Sequence, residues 1–243
     1  YWDNIEPVLS ASMTDWTLST GWLPRIRRQI ESRKAYFFFL GILLTCGTIF
    51  VLAEGKAESF LFLNRFHGAW ADRFFIAYTY LGDGLFSLVI FGFLMAFRRT
   101  SVAWKVMLAF LSSGVVAQVI KNLVESPRPG AFFTQEQYSH FIEGVPLHGL
   151  NSFPSGHTTS AFALATILAL SDNKIWRGLL YLLVATAVAY SRIYLGQHFP
   201  ADVLVGALLG AIFALITQDL LRKGFRIRRR QVVPPDLSFS GLP

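Results

Sequence analysis

Charge is scarce in this chain: only 15% of its 243 residues are Asp, Glu, Lys or Arg, against 53% apolar ones. That shortage excludes an ordinary soluble domain, in which about a quarter of the residues carry charge. Cysteine is nearly absent. The single Cys46 cannot form an intrachain disulfide, and it says little about redox compartment. There is no long Pro/Ser-rich or low-complexity linker and no obvious internal repeat, which favours one domain. No spaced His/Cys/carboxylate cluster suggests a metal site, and no cofactor is expected. Residues 1–34 lack a short apolar stretch followed by a small-residue cleavage site, so they do not read as a signal peptide. They read as an amphipathic cytoplasmic or linking segment. Because the chain opens on Tyr1 rather than Met, it is taken as part of a longer parent.

Long apolar runs fill the rest. Six of them, near 35–54, 82–98, 102–124, 156–171, 175–195 and 202–221, suit helices crossing a bilayer, which needs roughly 17 to 25 residues each. The expectation is an all-α integral membrane protein, a six-helix bundle spanning 35–221, with a basic cytoplasmic tail over 222–243. Residues 57–81 interleave Phe, Trp and Tyr with Asn64, Arg65, Asp72 and Arg73, a pattern that predicts an interfacial amphipathic helix between the first two spans.

The net charge of +7 raises nucleic acid and anionic membrane as partners. The basic residues sit at the ends of apolar runs, which favours membrane; nucleic-acid binding has little support. Sixteen of the 22 Lys and Arg fall in the N-terminal segment, the 98–105 and 171–177 turns and the C-terminal tail, all on one side of the six-span arrangement. By the tendency of basic loops to stay inside, both termini are cytoplasmic. The other six are Lys56, Arg65, Arg73, Lys121, Arg128 and Arg192.

With that topology, three polar clusters meet on the outer face. "KNLVESPRP" supplies Lys121 and Arg128, with Pro127 and Pro129 forcing the chain out of its helix. "PSGH" opens the fourth span from Pro154 to His157, and "SRIYLGQHFPAD" supplies Ser191, Arg192, His198 and Asp202. Ionisable groups at membrane depth are costly and usually line a cavity with partners. An excess of cations asks for an anion. Pro154 suits the first turn of a helix, so the N–H groups of Ser155, Gly156 and His157 are expected as unpaired helix-start donors. Gly156 lets an anion approach the backbone, while the arginines add forked donors that suit phosphate oxygens. The two histidines invite a division of labour, one attacking phosphorus and the other protonating the departing alkoxide and then activating water. His198 is the better nucleophile, because Asp202 four residues on can hold its far ring nitrogen. His157 is then the acid and base.

Lys121–x6–Arg128–Pro129, Pro154–Ser155–Gly156–His157 and Ser191–Arg192–x5–His198–x3–Asp202 together resemble the three signature motifs of the type 2 phosphatidic acid phosphatases, which share a phosphate site with vanadium haloperoxidases. The resemblance covers about 102 to 221. It implies metal-independent dephosphorylation through a phosphohistidine, with Lys121, Arg128, Ser155, Gly156 and Arg192 binding phosphate.

The expected activity is therefore that of a lipid-phosphate phosphatase acting on a phosphomonoester or diphosphate head group. Phosphatidic acid, phosphatidylglycerol phosphate, polyprenyl diphosphate and lipid A phosphates are all compatible. Two rivals are a phosphotransferase to a lipid or glycan acceptor and a non-catalytic phospholipid-binding or transport protein; retention of both His157 and His198 argues against the second. The expected location is the bacterial inner membrane, with the site on the periplasmic face. Ser191 reads as an orienting or packing group, and His67, His140 and His148 as interface or loop residues. Asp83 and Glu125 read as local ion-pair partners, Glu125 beside Arg128.

Overall fold

The computed structural model describes residues 21–134, 136–138, 142, 145 and 149–232, with side chains up to Arg222. Among them the secondary structure is entirely helical. In order come α1 (Trp22–Ser32), α2 (Lys34–Leu63), α3 (Ala69–Tyr78), a 3-10 turn (Thr79–Gly82), α4 (Gly84–Ala96), α5 (Thr100–Val124), the short α6 (Pro129–Phe132), α7 (Gly156–Ser171), α8 (Ile175–Tyr194) and α9 (Pro200–Val232). Helix suits so apolar a chain because it satisfies every backbone N–H and C=O within one segment, which hydrocarbon requires.

Three segments are long and apolar enough to cross a membrane, Lys34–Leu63, Thr100–Phe132 and Pro200–Arg222. Ala69–Gly82 and Gly84–Ala96 pass the same test only as a pair, bent by 59° where they meet. The sequence reading separates a first span ending at 54 from an interfacial segment beginning at 57. The backbone breaks between those bounds, at Gly55 (φ 81°, ψ 174°), where two helical stretches meet at a kink inside α2; the second ends at Leu63, and α3 begins at Ala69.

α7 holds the centre, packed by α9, α8 and α5. Its residues from Thr158 to Ile167 are all buried, because Ala, Thr and Ser leave room for close neighbours on every side. The tightest approach is by α9. A Cβ on Gly206 would lie 2.7 Å from the Ser155 carbonyl oxygen, and one on Gly210 would lie 2.4 Å from that of Thr159. These obstacles are backbone and cannot turn aside, so α9 reaches α7 only through glycine. The contact sets the start of α7 against the start of α9, which is where the polar motifs lie.

An aromatic cluster of Phe60, Phe133, Tyr138 and Phe199 closes the same end of the bundle. Asn64, buried at the end of α2, donates from Nδ2 to the carbonyls of Ile193 (2.6 Å) and Tyr194 (2.9 Å). It thereby satisfies two of the orphan acceptors at the C-terminus of α8. Those bonds fix the helix end from which Arg192 projects.

Candidate active site

The α8–α9 connection is a tight turn. Leu195 N–H donates to Ser191 O at 2.9 Å, and Gln197 and His198 N–H both donate to Arg192 O, at 3.0 and 3.1 Å. Gly196 supplies the left-handed residue this return needs (φ 65°). Arg192, His198 and Asp202 are consequently drawn together and nearly fully buried. The Asp202 carboxylate, in the first turn of α9, accepts from Phe199 N–H at 2.9 Å and so satisfies a donor at the start of that helix. Burial drives the His198 imidazole down to about 3, with Arg192 and Arg128 acting in the same sense, so the ring is neutral at ordinary pH.

His198 faces Asp202 through Nδ1, the far ring nitrogen, as the spacing expects, but the contact is long. His198 Nδ1 lies 3.6 Å from Asp202 Oδ2, beyond good hydrogen-bond length. The hydroxyl of Ser152, fully buried, occupies the same corner, donating to Asp202 Oδ2 at 2.5 Å and standing 3.4 Å from His198 Nδ1.

At the head of α7, Ser155 is the N-cap, and its Oγ accepts from Thr158 N (3.4 Å) and Thr158 Oγ1 (2.9 Å). Pro154 thus precedes the cap and stands outside the first helical turn. The expectation of a free Ser155 N–H is overturned, since that group donates to the backbone carbonyl of Asp202 at 3.0 Å. It ties the two motif segments together. Gly156 fits its expected role, with no atom within 4 Å of where a Cβ would stand.

His157 is partly exposed, its Nε2 4.0 Å from Asp83 Oδ2. Gly82 permits this approach: a Cβ there would meet the His157 carbonyl oxygen at 2.9 Å and Val188 Cγ1 at 2.5 Å. The 3-10 turn also supplies Thr79, whose Oγ1 accepts from Arg192 Nη1 at 2.7 Å. Arg192 Nε is buried and has no hydrogen-bond partner among the described residues. Arg128 donates from Nε to Leu150 O (3.2 Å) and from Nη1 to Gln197 Oε1 (2.9 Å). Burial lowers the Arg128 pKa while Asp202 works the other way. Lys121, near the end of α5, lies within electrostatic range of Arg128, Arg192 and Asp202. The eight candidate site residues, Lys121, Arg128, Ser155, Gly156, His157, Arg192, His198 and Asp202, therefore lie toward one end of the bundle.

Sequence reasoning missed Ser152, Thr79 and Gln197 as members of this cluster. Thr79 lies in the aromatic stretch assigned to membrane seating, and Ser152 lies two residues ahead of the proline that opens its motif. Asp83 faces His157 Nε2 at 4.0 Å, a contact that is an ion pair only where that ring is protonated. Glu125 makes no ion pair with Arg128 among the described residues; it ends α5 in left-handed conformation (φ 43°). Ser191 donates to Val188 O at 2.6 Å, a helix-packing bond. His67 bonds Asn64 Oδ1 at 2.9 Å, and His140 and His148 lie outside the described residues. No group of three potential metal ligands occurs among the described residues.

Apolar helices gathered around cations, two histidines and a buried carboxylate are the architecture of a membrane protein with a polar cluster at one end of its bundle. Residues 102–225, about half of the chain, match the PAP2 superfamily, and the chain belongs to that superfamily. It is 26% identical over 200 residues to an undecaprenyl-diphosphatase of Sulfolobus acidocaldarius, covering 79% of this chain and 94% of that one. With phosphatidylglycerophosphatase B of Bacillus subtilis the identity is 30% over 174 residues, covering 66% and 80% of the two chains. The crystal structure of Aquifex aeolicus LpxE superposes with a TM-score of 0.59 at 32% identity, over 68% of this chain and 94% of that one. The chain is a membrane phosphoric ester hydrolase.

Proposed function

We propose that this protein hydrolyses the phosphate head group of a membrane lipid through a phosphohistidine on His198, without a metal ion. The observation that carries the reading is Arg192. Its guanidinium is buried, one arm is spent on Thr79, and Nε has no partner among the described residues. A buried cationic donor left unsatisfied costs free energy that a phosphate oxygen would recover. Lys121, Arg128, the Ser155 cap, Gly156 and Arg192 then hold the phosphoryl oxygens, and the open space over Gly156 admits the anion to the helix start.

In the first step Nε2 of His198 attacks phosphorus, and the P–O bond to the lipid breaks with its electron pair leaving on the alkoxide. Protonated His157 gives that oxygen its proton. The resulting neutral His157 removes a proton from water as the water attacks phosphorus and the P–N bond breaks, releasing inorganic phosphate. Asp202 balances the charge that builds on His198. Phosphatidic acid, phosphatidylglycerol phosphate, a polyprenyl diphosphate and a lipid A phosphate all fit this chemistry; the relatives' names span diphosphate and monophosphate substrates.

The arrangement we favour has six spans, α2, α4, α5, α7, α8 and α9, in a catalytic domain over 35–221 flanked by a linking segment (1–34) and a basic tail (222–243). α3 lies at the interface. The distribution of Lys and Arg supports cytoplasmic termini and an outward-facing site, on the periplasmic side of a bacterial inner membrane.

The test is phosphate release from those four lipid phosphates in detergent, with chelator present throughout, for wild type and Arg192→Lys. Release in chelator, with KM raised in Arg192→Lys, is expected. No release from any of them, or release only after a divalent metal is restored, would overturn the reading.

A further inference from the structure

Ser152 belongs to none of the three motifs, yet it is wholly buried and points its hydroxyl between the two groups that matter most. Its backbone is fixed independently, Ser152 N–H donating to Ser126 O at 2.9 Å in the segment that carries Arg128. One hydroxyl has one proton to give. The 2.5 Å contact assigns it to Asp202 Oδ2, leaving the Oγ lone pairs to face His198 Nδ1. The direct Nδ1–Oδ2 separation of 3.6 Å is longer than either arm of this bridge.

We infer that Ser152 is a positioning residue that links His198 to Asp202, through the sequence Nδ1–H to Oγ and Oγ–H to Oδ2. This rests on the reading of His198 as nucleophile. The bridge keeps the proton on Nδ1, so the lone pair stays on Nε2, where it attacks phosphorus. As the P–N bond forms, positive charge develops on the ring, and the Nδ1–H···Oγ–H···carboxylate chain polarises toward Asp202 without any proton changing owner. Asp202 therefore acts on the ring through the serine as well as across the longer direct contact. Sequence spacing, which puts His198 and Asp202 one helical turn apart, suggests a direct pair because it contains no information about a side chain arriving from another loop.

The experiment uses the whole enzyme in detergent, with Ser152→Ala, Asp202→Asn, the double variant and His198→Ala. Alanine removes only the hydroxyl and keeps the backbone bond to Ser126, so the fold should hold; thermal inactivation checks this. Losing a hydrogen bond to a charged group in the reacting chain should lower kcat about tenfold to a hundredfold with KM little changed. Rapid-quench phosphoenzyme formation should slow by the same factor. The double variant should be no slower than Asp202→Asn alone, because both changes cut one chain. Multiplicative losses in the double variant, or a wild-type kcat in Ser152→Ala while His198→Ala is dead, would overturn the bridge and leave the phosphatase reading intact. Wild-type turnover by His198→Ala would overturn both.

Discussion

The carboxylate of Asp83 stands 4.0 Å from Nε2 of His157, at the mouth of the cluster and on a different segment from any of the three motifs. A carboxylate at that distance can orient the ring and hold it once it carries the proton that a general acid gives up. Asp83 also caps α4, accepting from Leu85 N–H at 2.8 Å. Asparagine keeps the cap and deletes the charge. In Asp83→Asn, hydrolysis of alkyl phosphates should fall about tenfold while aryl phosphates, whose leaving group needs little protonation, hardly change. Comparing kcat/KM for the two ester types checks this, and equal losses would detach Asp83 from proton transfer.

His198→Ala and His157→Ala should separate in the phosphoenzyme they form. Without His198, no acid-labile, base-stable phosphohistidine should appear from any ester. Without His157, an activated aryl phosphate should still phosphorylate the enzyme while breakdown of the intermediate slows by about a hundredfold or more, since the same imidazole activates the water. Rapid quench with both esters reads the difference. Phosphoenzyme in His198→Ala would remove the nucleophile from its role.

The depressed pKa of His198 makes a statement about acid. Folded, the ring titrates near 3; unfolded, near its ordinary 6.5. Between those values the unfolded chain binds more protons, so this group's effect on stability is to weaken the fold as pH falls from about 6.5 toward 3. The temperature of half-inactivation should therefore drop over that window, and His198→Gln, which cannot titrate there, should show a smaller drop. Titration of His198 itself should leave no limb near pH 6 in the profile of kcat/KM for the free enzyme. An alkaline limb that vanished in a variant retaining His198 but lacking His157 would locate that titration at His157, whose protonated form the first step uses.

Two glycines, one in the α7–α9 contact and one facing open space, should behave oppositely. Gly210→Ala places a methyl 2.4 Å from a backbone oxygen and 2.7 Å from Ala163 N, so α9 must move off α7. Loss of folded protein, of about 1–3 kcal/mol or more in stability, is expected. Gly156→Ala meets no atom within 4 Å. It should fold normally and raise KM, because the methyl stands where the anion approaches the helix start. Detergent-exchange melting together with KM measurements distinguishes the two, and a normal KM in Gly156→Ala would move the phosphate elsewhere.

Much of this protein was legible before any coordinates. Low charge and long apolar runs dictate membrane helices, since a backbone in hydrocarbon has no other partner, and the bounds of α7 fall at 156–171 as the pattern requires. The cations, histidines and carboxylate could be assembled on one face from helix parity alone, and three spaced motifs pointed to phosphate. What the sequence by itself left undetermined is everything contributed across the bundle by residues of ordinary type. Ser152, Thr79 and Gln197 carry no local pattern, because a serine, threonine or glutamine becomes part of a site only when another segment is brought within hydrogen-bond reach. The same is true of the Ser155 N–H. Helix-start geometry predicts it free, yet close packing at Gly206 and Gly210 brings the Asp202 carbonyl to it. Local periodicity determined the helices and the chemistry they carry; the approach of α9 and the 3-10 turn to α7, permitted by glycines with no side chain to obstruct it, decided which atoms touch.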